Sequence, residues 1–565
     1  MARYPFIAFD VSAAQTWGRG DGGRAPVRMV ADGRPVRRDG EQMTELALAA
    51  RNIPTSRRPF LWPPTGMFAV SSERRLDLAY GGLLVALTAV MLLPGSLTLP
   101  MELWDESRNA NNALEMADGG SWLVTTFGGV PDHWNTKPPL LIWIVAALLR
   151  AGMEPMLALR LPSILATMGS VLLVYVACRT LVRDQLAGLL GGLLLICSVL
   201  FMGDHSGRTG DFDALLALLH LGFVLCLGRY IDLVPDRSGV WIAAAAVLLF
   251  LAAMTKGVAS GLAMPGLLAY AIARGRFLAM MRDWRLWASV FGVLAALAGW
   301  LALRERFDPG YLAALWGNDI GGRMLNVLDA HDEGPFFYLV FLTLTFQPAV
   351  LLLPTLLAAR RDPDPARRHV CLLMILTAAS WLLALSCART KLYWYVAPAL
   401  PLLAIAIGVA TTTYLRKGQP PLPGRVVLRP IAVALLIAFW YLNIRAHDAG
   451  SPYTADQVWY GPFLNEIRGE ARLDGAFIVD HGLPNDAGFQ NYNPIAAFYA
   501  REAQTRGEHI RVVAPGAQIP VEATLISCDP LVRDWLKSQS FFTAIRANTH
   551  CVMGRVAVQP DPQPG

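Results

Sequence analysis

Long apolar runs separated by short polar breaks dominate this chain from about residue 78 to residue 442. They lie at about Leu78–Leu99, Leu161–Val182, Leu186–Met202, Ala214–Leu227, Val240–Met254, Val258–Ala273, Leu286–Leu303, Phe336–Ala359, Val370–Cys387, Leu392–Tyr414 and Val426–Leu442. A helix crosses the hydrocarbon core with about 20 apolar residues, so these runs predict spans, several of them completed by flanking residues. Another run, Pro138–Leu149, is short enough to predict an interfacial or re-entrant segment instead. The pattern predicts a polytopic α-helical membrane protein of about 11–13 transmembrane helices.

The two ends of the chain follow other patterns. Residues 1–75 are rich in Arg, Gly and Pro, lack the apolar stretch of a signal peptide, and read as disordered or as an over-extension ahead of a start at Met67. The membrane region is placed at 76–443. From 444 to 565, strand-like runs (Ala476–Val479, Ile510–Val513, Ala523–Ile526) alternate with helix-like ones (Pro494–Arg501, Leu531–Ser538), which predicts a small soluble α/β domain.

Composition agrees: of 565 residues, 54% are hydrophobic and 16% charged, too apolar for a soluble multidomain protein. The net charge of +6 does not point to nucleic acid, because the Arg residues sit in short loops between apolar runs. If Pro138–Leu149 does not cross, Arg179/Arg183, Arg274/Arg276/Arg282/Arg285, Arg360/Arg361/Arg367/Arg368 and Arg416/Lys417/Arg425 share one side, which the positive-inside rule makes cytoplasmic. The opposite side then collects the polar clusters and the tail. Five cysteines lie in or beside apolar runs without metal spacing; Cys528 and Cys551 lie in the tail, where an oxidising compartment permits a disulfide.

Those clusters carry the candidate chemistry of an enzyme working on a lipid at the membrane surface. Asp105, Glu106 and Arg108 follow the first apolar run and open a helical stretch, Asp105–Asp118, whose asparagines predict a helix lying along the surface. Carboxylates there also serve as plain N-terminal caps. Lys137 precedes two prolines and can hold a phosphate, or simply snorkel; His133 reads as a surface or packing residue. The segment Asp204–Asp213, with His205, Arg208, Asp211 and Asp213, concentrates three carboxylates beside His and Arg, more than capping requires. A divalent metal there stays open, since no ligand spacing is diagnostic. Lys256 and Lys391 end up on the same side, where converging cations can cradle a lipid phosphate.

In this order the segments resemble the GT-C membrane glycosyltransferases of the aminoarabinose transferase and protein O-mannosyltransferase superfamily. The residues that carry the resemblance are Asp105, Glu106 and Arg108; Lys137–Leu140; Arg160–Ser163; Arg208–Asp213; Thr255–Gly257; and Lys391–Pro398 with Tyr395. It covers roughly Leu78–Leu442 and implies a GT-C fold, with an outer α/β tail as in some members. It further implies transfer of a sugar, with inversion, from a polyprenyl phosphate carrier to an extracytoplasmic acceptor: lipid A, another glycolipid, a polysaccharide or a protein. The lipid-linked sugar is then a substrate. The expected place is a bacterial inner membrane, with the active site and tail periplasmic.

Carried over, Asp105 is the base or acceptor-orienting carboxylate, Glu106 and Arg108 shape the site, and Asp211 or Asp213 is a second acidic contributor. Lys137, Arg208, Lys256 and Lys391 handle the carrier phosphate, and Arg160, His205 and Tyr395 are further substrate-binding candidates. One departure is Thr136, where typical aminoarabinose transferases carry Glu, which puts their sugar specificity and a Glu-based metal site in doubt. The rival is a transporter or flippase for a lipid-linked sugar. Against it, the clusters gather at one face, and no paired interrupted helices mark two halves.

Overall fold

The computed structural model describes residues 72–236, 238–326, 333–347, 349–416, 456–468, 473–482 and 492–557. The chain divides into units 1–58 and 59–565, and every described residue belongs to the second. The expected disorder up to residue 71 and the run Val426–Leu442 lie outside the described residues; the first helix among the described residues begins at Ser72.

Among the described residues, seven helices are long and apolar enough to span a membrane, and a pair bent by 106° makes up to eight. The elements used below are α1 (Ser72–Thr98), α2 (Asp105–Ala117), α3 (Leu140–Arg150), α4 (Pro155–Leu181), α5 (Gln185–Ile196), α6 (Phe212–Leu233), α7 (Gly239–Lys256), α8 (Met264–Ala273), α9 (Trp284–Phe307), α10 (Phe337–Thr345), α11 (Pro365–Cys387) and α12 (Leu400–Arg416). The bent pair is α10 with Ala349–Ala359. Helix α9 buries none of its apolar window inside the protein, as expected of a helix whose apolar surface faces lipid. The span ending in α12 is 94% buried over its window and lies inside the helix packing.

Local chemistry explains where the runs break. Ser198 caps a short helix at Val199–Met202, so the run Leu186–Met202 divides after α5. Gly257 has φ +54°, a conformation that side chains rarely tolerate, and it stops α7 at Lys256. Helix α3 has 11 residues, too few to cross, in line with its short apolar run. Loop carboxylates cap several starts: Glu154 for α4, Asp184 for α5, Asp283 for α9 and Asp364 for α11.

The tail forms a five-stranded sheet in the order β4-β3-β5-β7-β6, numbered after a two-stranded ribbon of β1 (Thr126–Phe127) and β2 (Val130–Pro131). Strands β3 (Phe477–Val479), β4 (Arg511–Val513) and β5 (Thr524–Ser527) run parallel, while β7 (Val552–Val556) pairs antiparallel with β5 and with β6 (Phe542–Ala547). Two of its helices, α13 (Pro494–Thr505) and α14 (Pro530–Ser538), follow the expected segments, and a third covers Tyr460–Glu466. Strands β6 and β7 were not expected: β6 exposes nearly every residue and shows no clean period of two. The tail shares one apolar core with α2 and α3, in which Ile478, Ile495 and Phe498 join Ala113, Leu141 and Val145.

Cys528 and Cys551 form a disulfide across 23 residues. A loop of that size corresponds to about 3 kcal/mol by the chain-entropy relation. Cys528→Ser with Cys551→Ser is therefore expected to raise amide exchange in β5 and β7 of the full chain, with α4 and α6 unchanged.

Candidate active site

Helix α2 is not the surface helix its asparagines suggested: every residue from Glu106 to Met116 is buried. Each amide has a partner, which removes the cost of burial. Asn109 Nδ2 donates to Gly210 O, Asn111 Nδ2 to Ser107 O and Pro494 O, and Asn112 Nδ2 to Thr126 O and Asp132. Asn135 Nδ2 donates to the side-chain oxygens of Asn109 and Asn112.

The two neighbouring carboxylates at the start of α2 separate in role. Glu106 accepts from Arg160 Nε at 2.7 Å and Nη2 at 2.8 Å, from Glu102 N at 2.8 Å and from Gly210 N at 2.9 Å. Arg160 also donates to the carbonyls of Ser96, Leu99 and Pro100. This buried knot ties the end of α1, α2, α4 and the 204–213 segment together. In it the Glu106 carboxylate and the Arg160 guanidinium are both engaged by protein partners. Gly210 is needed there because a Cβ would meet Leu159 at 2.5 Å.

Arg108 is likewise turned inward. Its Nε and Nη2 donate to Asp132 at 2.7 and 2.8 Å, and its guanidinium lies 3.7 Å from the Phe127 ring centroid. Burial works against the Asp132 charge, but Arg108 and amide donors outweigh it and hold the carboxyl below its ordinary range. Asp132 also accepts from Trp134 N and Asn135 N, so the pair sets the backbone that delivers Lys137.

Asp105 is the first residue of α2, whose N-cap position is Trp104. Its carboxylate lies 3.6 Å from Lys137 Nζ and 3.9 Å from His205 Nδ1. Burial alone would raise its pKa, yet Lys137, His205, Arg323 and Lys256 bring it down to about 2. Burial lowers the Lys137 pKa, with Asp105 opposing.

Asp211 precedes α6 and makes no cap bond; it accepts instead from Thr209 Oγ1 at 2.6 Å. Burial, aided by the charges of Asp105 and Glu106, raises it to about 7 against the pull of His205 and Thr209. His205 Nδ1 stands 3.5 Å from Asp211 Oδ2, and the imidazole stacks on Trp394 at 3.9 Å. Trp104 at φ +72° and His205 at φ +57° hold conformations that cost energy in ordinary residues and that concentrate at functional sites.

The start of α6 and the end of α7 meet: Lys256 Nζ lies 2.6 Å from both Asp213 oxygens and 4.4 Å from the Tyr395 ring centroid. Lys137, Asp213, Lys256, Asp319, Arg323 and Tyr395 line one cavity of about 740 Å³, whose remaining wall is largely apolar, including Leu216, Val258, Leu262 and Trp381. Asp319 and Arg323 pair at 3.4 Å and were not singled out in sequence, though they lie in a polar loop on the chemical side. Their segment is anchored by Asn318 Nδ2 on His133 O.

Two candidates fall elsewhere. Lys391 is buried and donates to Ala388 O at 2.6 Å; its neighbour Thr390 lines the cavity instead. Arg208 is also buried and outside the cavity lining, its carbonyl accepting from Ser96 Oγ. Tyr492 of the tail, stacked on Trp104 at 5.5 Å, was missed because nothing local links residues so far apart.

Asp105, His205 and Asp211 have ligand atoms within 4.8 Å of one another, and among the described residues this is the trio of that kind. His205 Nδ1 and Asp211 Oδ1 are buried and make no hydrogen bond within the protein. Two carboxylates and an imidazole suit a divalent cation.

Residues 136–315 match the family described as dolichyl-phosphate-mannose-protein mannosyltransferase. Over 367 residues the chain is 31% identical to an undecaprenyl phosphate-alpha-4-amino-4-deoxy-L-arabinose arabinosyl transferase of Pseudomonas aeruginosa, covering 61% of this chain and 62% of that one. A second such transferase, of Pseudomonas fluorescens, is 27% identical over 379 residues, 64% of this chain and 61% of its own. The chain thus spans about three fifths of the length of the curated relatives it matches. Its fold superposes on the crystal structure of ArnT from Cupriavidus metallidurans bound to undecaprenyl phosphate with a TM-score of 0.59 at 16% identity, covering 86% of this chain and 100% of that one. The chain thus has the fold of that structure, with seven helices among the described residues long and apolar enough to cross a membrane, and it is similar in sequence to the transferases named above.

Proposed function

We propose that this protein is an integral membrane glycosyltransferase of the bacterial inner membrane. It takes a sugar from a polyprenyl phosphate carrier and passes it, with inversion, to an extracytoplasmic acceptor. The observation that carries this is the amphipathic cavity: Lys137, Lys256 and Arg323 at one part of its lining and apolar side chains at the rest match a phosphate head on a hydrocarbon chain. The names of the relatives and of the structural neighbour point the same way. The Arg-rich loops support an extracytoplasmic position for the cavity.

In the reaction an acceptor oxygen bonds to the anomeric carbon as the bond from that carbon to the phosphate oxygen breaks, and the carrier phosphate leaves with the electron pair. Lys137, Lys256 and Arg323 balance the charge that develops on it. Asp105, beside Lys137, stays anionic, orients the acceptor and stabilises positive charge on the sugar ring. So weak a base takes a hydroxyl proton only late, and a phosphate acceptor requires no base. Thr136 is buried, its carbonyl accepting from Tyr311 Oη at 2.7 Å, so this position offers no carboxylate for sugar or metal. The sugar and acceptor therefore need not be those of the relatives.

A divalent cation fits Asp105, His205 and Asp211, where it would supply Lewis-acid stabilisation of the phosphate. EDTA is then expected to lower the thermal midpoint of the purified protein and Mn²⁺ to restore it, with no response to either in His205→Ala. An equal response in the variant removes this site.

The test is transfer of radiolabelled sugar from polyprenyl phosphate carriers to lipid, glycan and protein fractions in proteoliposomes. Label reaching one acceptor fraction is expected. Carrier crossing between leaflets without any transfer would overturn the assignment in favour of a flippase.

A further inference from the structure

At the opposite ends of the helices lies a second cavity, of about 410 Å³, bounded by α4, α6, α8 and α11. Arg229, sixteen residues along α6 from Asp213, is roughly 24 Å away at 1.5 Å per residue. That distance approaches the thickness of a bilayer's hydrocarbon core. The cavity therefore belongs to the other membrane interface and has no part in the chemistry above.

Its lining combines charge and apolar surface. Arg229, Asp232, Tyr270, Arg274 and His369 form the polar part; Leu225 and Leu373 are among the apolar residues. The Asp232 carboxylate already accepts from Arg274 Nε at 2.9 Å and from Tyr270 Oη at 3.0 Å. Arg274 Nη1 lies 2.8 Å from His369 Nε2; since the guanidinium can only donate, this nitrogen accepts and the imidazole is neutral. Two guanidiniums thus face one carboxylate, giving the lining a net charge of about +1 beside apolar walls. Basic pockets between helix ends suit anionic headgroups.

We propose that this cavity binds the phosphate group of an anionic phospholipid from the leaflet opposite the catalytic cavity. Arg229 and Arg274 hold the phosphate, and the acyl chains lie along the apolar wall. The selectivity for anionic over zwitterionic lipid comes from the net positive lining, because a choline cation would gain nothing there.

The experiment is native mass spectrometry of the purified full-length protein with phosphatidylglycerol, phosphatidylcholine or inorganic phosphate, read beside the thermal midpoint. Phosphatidylglycerol adducts exceeding phosphatidylcholine adducts by at least about fivefold are expected, a difference of roughly 1 kcal/mol. They should fall by a similar factor in Arg229→Gln and persist in Arg229→Lys. Leu225→Phe, which fills the apolar wall without touching a charge, should also reduce them and serves if Arg229→Gln does not fold. Equal adducts for both lipids, or adducts unchanged in Arg229→Gln and Leu225→Phe, overturn the proposal. A midpoint shift with inorganic phosphate as large as with lipid would show a free-phosphate site and overturn the lipid assignment.

Discussion

Asp105→Asn is expected to cut sugar transfer by roughly 10²–10³-fold, the scale of losing one electrostatic contact to a transition state, while folded protein accumulates normally. Asparagine keeps the shape and removes the charge. The two effects separate because the Asp105 side chain is 20% exposed, with Lys137 Nζ 3.6 Å and His205 Nδ1 3.9 Å away. Transfer and thermal midpoint are measured on the same preparation in proteoliposomes. Unchanged transfer would sink the role given to Asp105.

The adjacent carboxylate should behave in the opposite way. In Glu106→Gln an amide NH₂ must face an Arg160 nitrogen together with either the Gly210 or the Glu102 amide, all of them donors. Breaking a buried ion pair from one side costs about 3–5 kcal/mol, a large part of the stability of an ordinary domain. The thermal midpoint in detergent is expected to drop sharply and the yield with it, whereas transfer per folded molecule stays near wild type. Loss of transfer at an unaltered midpoint would return Glu106 to the reacting groups.

That contrast shows how much of the site was legible in advance. The sequence placed Asp105, Lys137, Asp211, Asp213 and Lys256 on one side of the membrane, and the fold brings them together. It could not separate a carboxylate that caps a helix from one engaged with side chains of other segments. Asp184, Asp283 and Asp364 cap their helices, while Asp105 and Asp211 do not. Composition is identical in the two groups; the direction of the side chain differs. The asparagines of α2 misled for a related reason, since a polar segment reads as exposed unless its partners are known, and those partners come from loops and from the tail.

Hydropathy is a sum over neighbours in the chain, so the sequence by itself determined that this protein lies in a membrane and roughly where its helices run. Pairing is a matter of a few ångströms between residues distant in the chain. Only the tertiary structure could decide that Arg160 belongs to Glu106 and Arg108 to Asp132, and so which charges are consumed in holding the fold and which line the cavity.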